Sequence, residues 1–205
     1  MSSGMSRRAQ QAAETQQLIL RAALKLFTAK GYGATSIGDI AAEAGVAVPT
    51  VYTSVGPKPE LLRRMLDWVD QQADIPTLAG ELRTSRDPAR VLTLQVRIAR
   101  YLAERCGDIL TALASAAQVD SELAEAYQSG LERHREGARV TAERLSQLDA
   151  LGENSAVTKA AALIATLTRL EVWSSLHGDF GWSYDDAEDW ISQTLSHQLL
   201  GNVER

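Results

Sequence analysis

Cysteine, aromatic residues and long apolar runs are all scarce in this sequence of 205 residues. The single cysteine, Cys106, excludes an internal disulfide framework and favours a reducing, cytoplasmic setting. Aromatic residues make up only 5% of the chain, whereas alanine and leucine are abundant, a composition that favours helices over sheets. No apolar run reaches the roughly 18 residues that a membrane-spanning helix needs. We therefore expect an all-α, cytoplasmic protein without a membrane partner.

Patterns that would indicate an enzyme or a metal site are also lacking. The three histidines, His134, His177 and His197, show no metal-ligand spacing with carboxylates or thiols. The chain has neither a phosphate loop nor a dinucleotide-binding fingerprint. We expect no catalytic residue, no metal and no cofactor, so the chain is not predicted to be an enzyme.

Positive charge is concentrated at the start of the chain. Residues 1–65 contain eight Lys/Arg against four Asp/Glu, whereas the remaining residues contain 13 Lys/Arg against 22 Asp/Glu. A basic front on an acidic body is typical of a protein that meets nucleic acid through its N-terminal part. Chance scatter of surface charge is the alternative interpretation.

The first predicted helix, Glu14 to Lys30, comes after a polar stretch, residues 1–13, that we expect to be a flexible arm. Apolar residues recur along this helix at three- and four-residue spacing, which gives it one core-facing side. They are Leu18, Ile19, Ala22, Ala23, Leu26 and Phe27. The helix is therefore predicted to be a scaffold against which the next two helices pack.

A second helix is capped by Thr35 or Ser36, and Ser36 with Asp39 has the spacing of a capping box. Gly45 ends this helix, in the left-handed conformation that glycine adopts at little cost. The third helix is roughly Val48 to Ser54, with a proline in its first turn, where no backbone donor is needed. Together they predict a helix-turn-helix motif at about residues 37–56.

The stretch from Leu18 to Leu62 resembles the N-terminal DNA-binding domain of the TetR family of transcriptional repressors. It shares the segments ILRAALKLFTAKGYGATS, IGDIAAEAGV and PTVY, and a lysine before the residues ELL, in the same order. The resemblance implies that the third helix enters the major groove of DNA. By position it implies phosphate contacts from Thr35, Thr50, Tyr52 and Lys58, and base-edge contacts from Val48, Pro49 and Thr53.

The third helix departs from the family pattern at several positions. The family often has Ser or Thr at Ala47, Lys or Arg at Val48, Gly at Pro49, and aromatic residues at Ser54 and Val55. Because the helix contains no Lys, Arg, Asn or Gln, it lacks the side chains that make bidentate base contacts. Thymine methyl groups, hydroxyl contacts and DNA shape are then expected to supply specificity.

The DNA-binding domain is predicted to span residues 14–74, and a larger helical domain for ligand binding and dimerisation residues 75–205. The fourth helix should run from Pro59 to about Ala73, and Ile75 to Arg86 should form an irregular boundary. Later helices are expected near residues 87–104, 108–117, 121–147, 156–177 and 184–200, making about nine in all. The broad apolar faces of the last two fit a homodimer built as a four-helix bundle, which the resemblance also implies.

A small-molecule pocket is predicted inside this helical body. Polar and aromatic side chains on otherwise apolar helix faces suggest a cavity with a few anchors. The candidates are Gln95, Tyr101, Tyr127, His134 and Trp173. For His134 the alternative is a core histidine with its hydrogen bonds satisfied.

The leading functional hypothesis is a homodimeric repressor that a small-molecule effector releases from a palindromic double-stranded DNA operator. The sequence leaves open the effector, the operator and whether the protein represses or activates. One alternative is a DNA-binding architectural or cell-division protein of the same fold without an inducer. Another is a helical adaptor that has lost DNA binding.

Overall fold

The structure, a computed structural model, describes residues 7–70, 74–152 and 156–201. Its helices are α1 (Arg7–Lys30), α2 (Ile37–Ala44), α3 (Val48–Ser54), α4 (Lys58–Asp70), α5 (Asp74–Thr84), α6 (Pro88–Ala116), α7 (Ser121–Gln147), α8 (Val157–Leu167), α9 (Leu170–Ser174) and α10 (Tyr184–Leu199), with a π-helix at Ser175–Asp179. None of the helices in the described ranges is long and apolar enough to cross a membrane. The predicted all-α class is confirmed.

Two segments that were predicted to be irregular are helical. Helix α1 begins at Arg7, so residues 7–13 of the predicted flexible arm are helical, and residues 1–6 lie outside the described ranges. Arg, Ala and Gln are strong helix formers, which allows a helix here without an apolar face. Helix α5 covers most of the predicted boundary because Pro76 lies in its first turn, where its missing N–H breaks no hydrogen bond.

Two other helix boundaries also differ from the prediction. Helix α6 continues without a break through Asp108, where a separate short helix was expected. The single helix expected over residues 156–177 instead ends at Leu167 and resumes as α9. At the interruption, the Thr168 hydroxyl donates a 2.7 Å hydrogen bond to the Ile164 carbonyl. Such local side-chain bonds compete with the helical pattern of the backbone.

The chain divides into two compact units, each containing parts of α6 and α7. The described residues of the first unit are 7–70 and 108–127, and those of the second are 74–107, 128–152 and 156–201. The sequence predicted a division near residue 75. It contained no sign that residues 108–127 join the N-terminal helices.

The core of the first unit takes apolar side chains from helices far apart in the sequence. Buried positions on α1 to α4 and the intervening turns include Ile19, Ala23, Phe27, Ile40, Ala41, Val51, Val55, Leu61, Leu62 and Met65. Residues from the end of α6 and the start of α7 are also buried, namely Ile109, Ala112, Leu113, Ala116 and Leu123. This core fixes the positions of α2 and α3.

The second unit has its own hydrophobic cluster, drawn from α5 to α10. Its largest fully buried side chains include Leu92, Leu94, Leu145, Ile164, Trp173 and Ile191. A short antiparallel backbone pairing joins the turn after α7 to the end of α10. In this pairing the Gly152 N–H donates to the Leu199 carbonyl at 2.9 Å, and the Gly201 N–H donates to the Ala150 carbonyl at 3.1 Å.

Candidate nucleic-acid interface

The N-terminus of α2 is fixed by the predicted capping box, which is confirmed. The Asp39 N–H donates to the Ser36 hydroxyl oxygen at 3.1 Å, and the Ser36 N–H donates to the Asp39 carboxylate at 2.9 Å. The Lys30 ammonium donates to the same carboxylate at 2.9 Å. The hydrogen bond from Lys30, with those from Ser36, holds the pKa of Asp39 well below its usual range.

The turn between α2 and α3 depends on one glycine. Gly45 has φ of +68°, in the left-handed region, and its N–H donates to the Ala42 carbonyl at 3.2 Å. The next N–H, of Val46, donates to the Ala41 carbonyl at 3.0 Å. These bonds satisfy the last carbonyls of α2 and set the direction in which the chain enters α3.

Helix α3 has one buried side and one exposed side. Val51 and, just after the helix, Val55 are buried. The exposed side carries Val48, whose relative exposure is 41%, Tyr52 at 52%, and the exposed residues Pro49 and Thr53. Thr50 is half-buried. The structure therefore brings together on one short helix five of the seven residues predicted to contact DNA.

The remaining two, Thr35 before α2 and Lys58 at the start of α4, have partners within the protein. Thr35 is buried, and its hydroxyl donates to the Gly31 carbonyl at 2.9 Å, with a longer contact of 3.3 Å to the Leu26 carbonyl. These bonds satisfy carbonyl groups at the end of α1. A phosphate contact donated by the Thr35 hydroxyl would require breaking them.

Lys58 binds the corner between α1 and α2. Its ammonium donates to the Tyr32 carbonyl at 2.9 Å and to the Thr35 carbonyl at 3.0 Å, and it lies 4.2 Å from the centroid of the Tyr32 ring. Burial lowers the pKa of Lys58, while the nearby Asp120 carboxylate acts in the opposite direction. The sequence could not reveal this role, because the acceptors are main-chain carbonyls 23 and 26 residues away.

Tyr32 is the aromatic centre of that corner. It is buried, and its ring packs against Phe27 with centroids 5.0 Å apart. Burial, with a further contribution from the Asp120 carboxylate, raises the pKa of Tyr32 to about 12. The phenol therefore stays neutral across the physiological range.

Most of the positive charge in the first unit is paired with acids of the same unit. Lys25 contacts Glu43 at 2.5 Å, Lys30 contacts Asp39, and Arg64 contacts Glu60 at 3.2 Å. Arg63 contacts both Glu60 and Glu122. Among the described side chains of this unit, Arg21 is exposed and forms no ion pair. Of the described cations in this unit, four are thus paired with acids, whereas Arg21 and Lys58 are not.

The five residues predicted to line a ligand pocket have separate surroundings. Buried Gln95 accepts a 3.0 Å hydrogen bond from the Thr141 hydroxyl. His134 Nε2 lies 2.8 Å from the Ala165 carbonyl oxygen, which fits the alternative of a satisfied core histidine. Tyr127 belongs to the first unit, whereas the other four belong to the second.

Trp173 and Tyr101 complete the set. Trp173 is buried, its ring stacks on Tyr184 with centroids 6.2 Å apart, and its Nε1 has no hydrogen-bond partner among the described residues. Tyr101 lines an open groove of about 280 Å³ in the second unit. The other residues lining this groove are Arg97, Arg100, Glu104, Arg105 and Glu188.

The groove is built around Glu188, which the sequence did not single out. Its carboxylate is buried and accepts from Arg97 Nε at 3.1 Å and from Arg100 Nη1 at 2.7 Å. Burial lowers the pKa of the Arg100 guanidinium, but hydrogen bonds to Glu188, Asp185 and Glu104 outweigh this effect and raise that pKa above its ordinary value. From their spacing in the sequence alone, these arginines would be predicted to form a solvent-exposed stripe. The acids that pair with them lie 85 to 91 residues away, so the sequence could not reveal the pairing.

Residues 19–65 match the family described as bacterial regulatory proteins, tetR family. The chain is 34% identical over 83 residues to the HTH-type transcriptional regulator AcrR of Shigella flexneri, covering 40% of this chain and 39% of that protein. Across the curated relatives that it matches, the chain spans between 39% and 56% of their length. The family match thus lies within the unit that carries α2 and α3.

Solved structures resemble nearly the whole chain. NalD from Pseudomonas aeruginosa, a secondary repressor of the MexAB-OprM multidrug efflux pump, superposes with a TM-score of 0.65 and 23% identity over 94% of this chain and 99% of that chain. A regulator-like protein from Saccharomonospora viridis in complex with choline gives a TM-score of 0.68 and 20% identity over 93% of this chain and 100% of that chain. At these identities the likeness establishes the fold.

Proposed function

This chain belongs to the tetR family of bacterial regulatory proteins, and on that premise we propose that it is a homodimeric, DNA-binding transcriptional repressor. It binds a palindromic operator through α3 of each subunit and is released when a small molecule binds the second unit. The matched relatives are described as transcriptional regulators, which supports a regulatory rather than an enzymatic role.

The two-sided character of α3 is the observation that carries this proposal. Val51 and Val55 bind the helix to the core, while Val48, Pro49 and Tyr52 project from the exposed side. A short helix that comes after a fixed glycine turn in this way is the reading element of a helix-turn-helix protein. Thr50 and Tyr52, which have hydroxyl groups at its edge, are the proposed phosphate contacts on α3.

The exposed residues of α8 and α10 support a dimer through these helices. Trp190 on α10 is 41% exposed, although tryptophan is usually well buried in a monomer. Exposed charges are complementary: α8 carries Lys159, and α10 carries Asp186 and Asp189. In a symmetric dimer, the two α3 helices would lie about 34 Å apart, one turn of DNA.

The proposed effector site is in the second unit, where Trp173 supports it most directly. A buried indole N–H without a partner is costly, and an acceptor atom on a small molecule would satisfy it. Gln95 and His134, which have hydrogen-bond partners of their own, are further polar candidates in the same unit, and Tyr101 lines the open groove. An effector that weakens operator binding a hundredfold must supply about 2.7 kcal/mol of coupling.

A gel-shift titration with the DNA upstream of its own gene, at two salt concentrations, tests the DNA-binding part. A repressor should give a discrete complex that survives competitor DNA, and sedimentation should show a dimer. Diffuse, strongly salt-sensitive binding would instead favour an architectural DNA-binding protein. No binding to any duplex would favour a helical adaptor and refute the proposal.

Mutation of the effector site tests the regulatory part separately. Trp173→Phe keeps most of the buried ring surface and removes the unpaired N–H. We expect effector-free operator binding to persist and the response to the effector to weaken at least severalfold. Loss of operator binding together with the response would show that Trp173 is only a core residue.

A further inference from the structure

The residues of α3 that the family resemblance assigns to base contacts, Val48, Pro49 and Thr53, present mostly methyl and methylene groups. Val48 presents two methyl groups at 41% exposure, and Pro49 presents its ring. Ala47, immediately before the helix, is exposed and adds a third apolar side chain. On α2, exposed Gly38 has no side chain at all. These side chains have no donor or acceptor for a base edge.

The polar group on this side, the Thr53 hydroxyl, has its hydrogen committed to the helix. It donates to the Pro49 carbonyl at 3.0 Å and contacts the Thr50 carbonyl at 3.3 Å. With that hydrogen used, Thr53 presents its methyl group and an acceptor oxygen. Three lysines of the same unit, Lys25, Lys30 and Lys58, already have acids or carbonyls as partners. Among the described side chains of the unit, Arg21 on α1 is the exposed cation without an ion pair, and it does not belong to α3.

From these observations we propose that α3 recognises C5-methyl groups in the major groove of double-stranded DNA. The inference rests on the proposed DNA-binding function and names the chemical group that the helix reads. The C5-methyl of thymine is the apolar feature that a base pair presents in that groove. 5-Methylcytosine presents the same group at the same ring position, so a methylated G·C pair is a second source of it.

The size of the effect can be derived from the burial of one methyl group. Transfer of a methyl-sized group out of water changes an equilibrium constant by about fourfold. Each methyl group contacted by Val48, Pro49 or Thr53 should therefore contribute a factor of about four to operator affinity. This readout needs no polar atom on α3, which agrees with the composition of its exposed side.

Removing one C5-methyl group of the DNA at a time tests this proposal directly. A duplex that the protein enriches from a random library is synthesised again with each thymine replaced singly by uracil, which removes only the C5-methyl. We expect at least one position per half-site where uracil lowers affinity about fourfold. At such a position cytosine and 5-methylcytosine are then compared, and the methylated base should bind about fourfold more tightly.

Protein variants assign the effect to α3. Val48→Ala should reduce the ratio of thymine to uracil affinity towards one at a single position. Leu18→Ala, which truncates an exposed apolar side chain of α1 in the same unit, should leave the ratio unchanged. Circular dichroism spectra and unfolding curves establish that both variants are folded.

The possible failures are distinguishable. A discrete, competitor-resistant complex with equal affinity for thymine and uracil everywhere would overturn methyl recognition and leave the proposed function standing. Equal affinity for cytosine and 5-methylcytosine at a methyl-sensitive thymine would overturn the claim that the methyl group itself is read. Failure to enrich any sequence would remove the DNA-binding function and this inference with it.

Discussion

Lys58 connects the start of α4 to the corner between α1 and α2 through two main-chain carbonyls and one aromatic ring. Replacing it with methionine keeps most of the aliphatic stem and removes the ammonium. We expect Lys58→Met to lower the free energy of unfolding by about 1–3 kcal/mol, because two carbonyls lose a charged donor. Urea unfolding followed by circular dichroism would measure this.

Lys25→Met is the matched control, because Lys25 makes an exposed pair with Glu43. Its loss should cost no more than about 1 kcal/mol. If instead Lys58→Met left stability unchanged but weakened operator binding, Lys58 would be a phosphate contact, as the family resemblance implies, and its structural role would be refuted.

Because of Tyr32, the stability of the first unit should decrease as the pH rises in the alkaline range. The pKa of Tyr32 is raised from 10.0 to about 12, so the folded state disfavours ionisation. The resulting stabilisation is fully present below pH 10 and is lost as pH rises towards 12. Tyr32→Phe should therefore show a smaller decrease in urea midpoint between pH 9 and pH 11 than the unmodified chain.

The exposed tyrosine of α3 supplies the control for that measurement. Tyr52→Phe removes a phenol that is 52% exposed and should retain the full alkaline decrease. Equal pH profiles for Tyr32→Phe and the unmodified chain would contradict the assignment.

For individual side chains, the sequence predicts exposure better than it predicts hydrogen-bond partners. The exposed positions of α3 and the inward positions of Val51 and Val55 could be derived from helical periodicity. The partners of Thr35 and Lys58 could not, because main-chain carbonyls leave no trace in a sequence. A family resemblance transfers the identity of a side chain at a position but does not transfer the hydrogen bonds that it makes in a particular chain.

Between α2 and α3, the turn requires a left-handed residue. Gly45 has φ of +68°, and a Cβ added there would meet no atom within 4 Å, so a substitution is opposed by backbone conformation alone. We expect Gly45→Ala to destabilise the protein by about 1–2 kcal/mol. The control, Gly33→Ala, also meets open space but lacks a positive φ, and its effect on the urea midpoint should be small.

At α6 and α10, a buried carboxylate joins two helices that are far apart in sequence. Glu188 is buried and accepts from Arg97 and Arg100. We expect Glu188→Gln to lower the free energy of unfolding by about 2 kcal/mol, because one of the two acceptor oxygens becomes an NH2 donor facing an arginine and the negative charge is lost. Asp185→Asn, which changes an exposed carboxylate that also contacts Arg100, should cost less than about 1 kcal/mol in the same thermal or urea unfolding measurement. Similar losses in the two variants would argue against a special role for the buried site.

Helix identity was predictable where strong caps and apolar periodicity coincide, as in α2 and α3. Helix boundaries were predicted poorly where a helix contains proline or glycine, the residues that usually interrupt helices. Proline in the first turn of α5 and glycine within α6 both indicate breaks, yet tertiary packing outweighs these local costs of about 1 kcal/mol. The arginine groove could not be predicted either, because it depends on which faces of α6 and α10 meet.

For the molecule as a whole, the sequence shows that the N-terminal part is basic and the rest acidic. It does not show how many of the basic side chains are free to contact DNA. The N-terminal part is basic, yet most described cations of the first unit are paired with its own acids. Few counterions should then be released when DNA binds, so the logarithm of affinity should fall only shallowly with the logarithm of salt concentration.

Glu43→Gln tests this prediction by releasing one cation. Without its acidic partner, Lys25 is free to approach a phosphate. The slope of the logarithm of affinity against the logarithm of salt concentration should then steepen by about 0.9 for each subunit bound, and affinity at low salt should rise. Fluorescence anisotropy with a labelled operator at several salt concentrations measures both quantities. An unchanged slope would show that Lys25 does not reach the backbone of the DNA.

The core of the first unit is completed late in protein synthesis, because its residues come from two separate parts of the chain. Leu62 is among its buried residues, and so is Leu123, which is synthesised 61 residues later. Because ribosomes add about 5–20 residues per second, the N-terminal helices must wait several seconds for the last part of their own core. A nascent chain that already contains the whole of α2 and α3 is therefore not yet a finished DNA-binding module, and a fragment cut after α4 would permanently lack Ile109, Leu113 and Leu123.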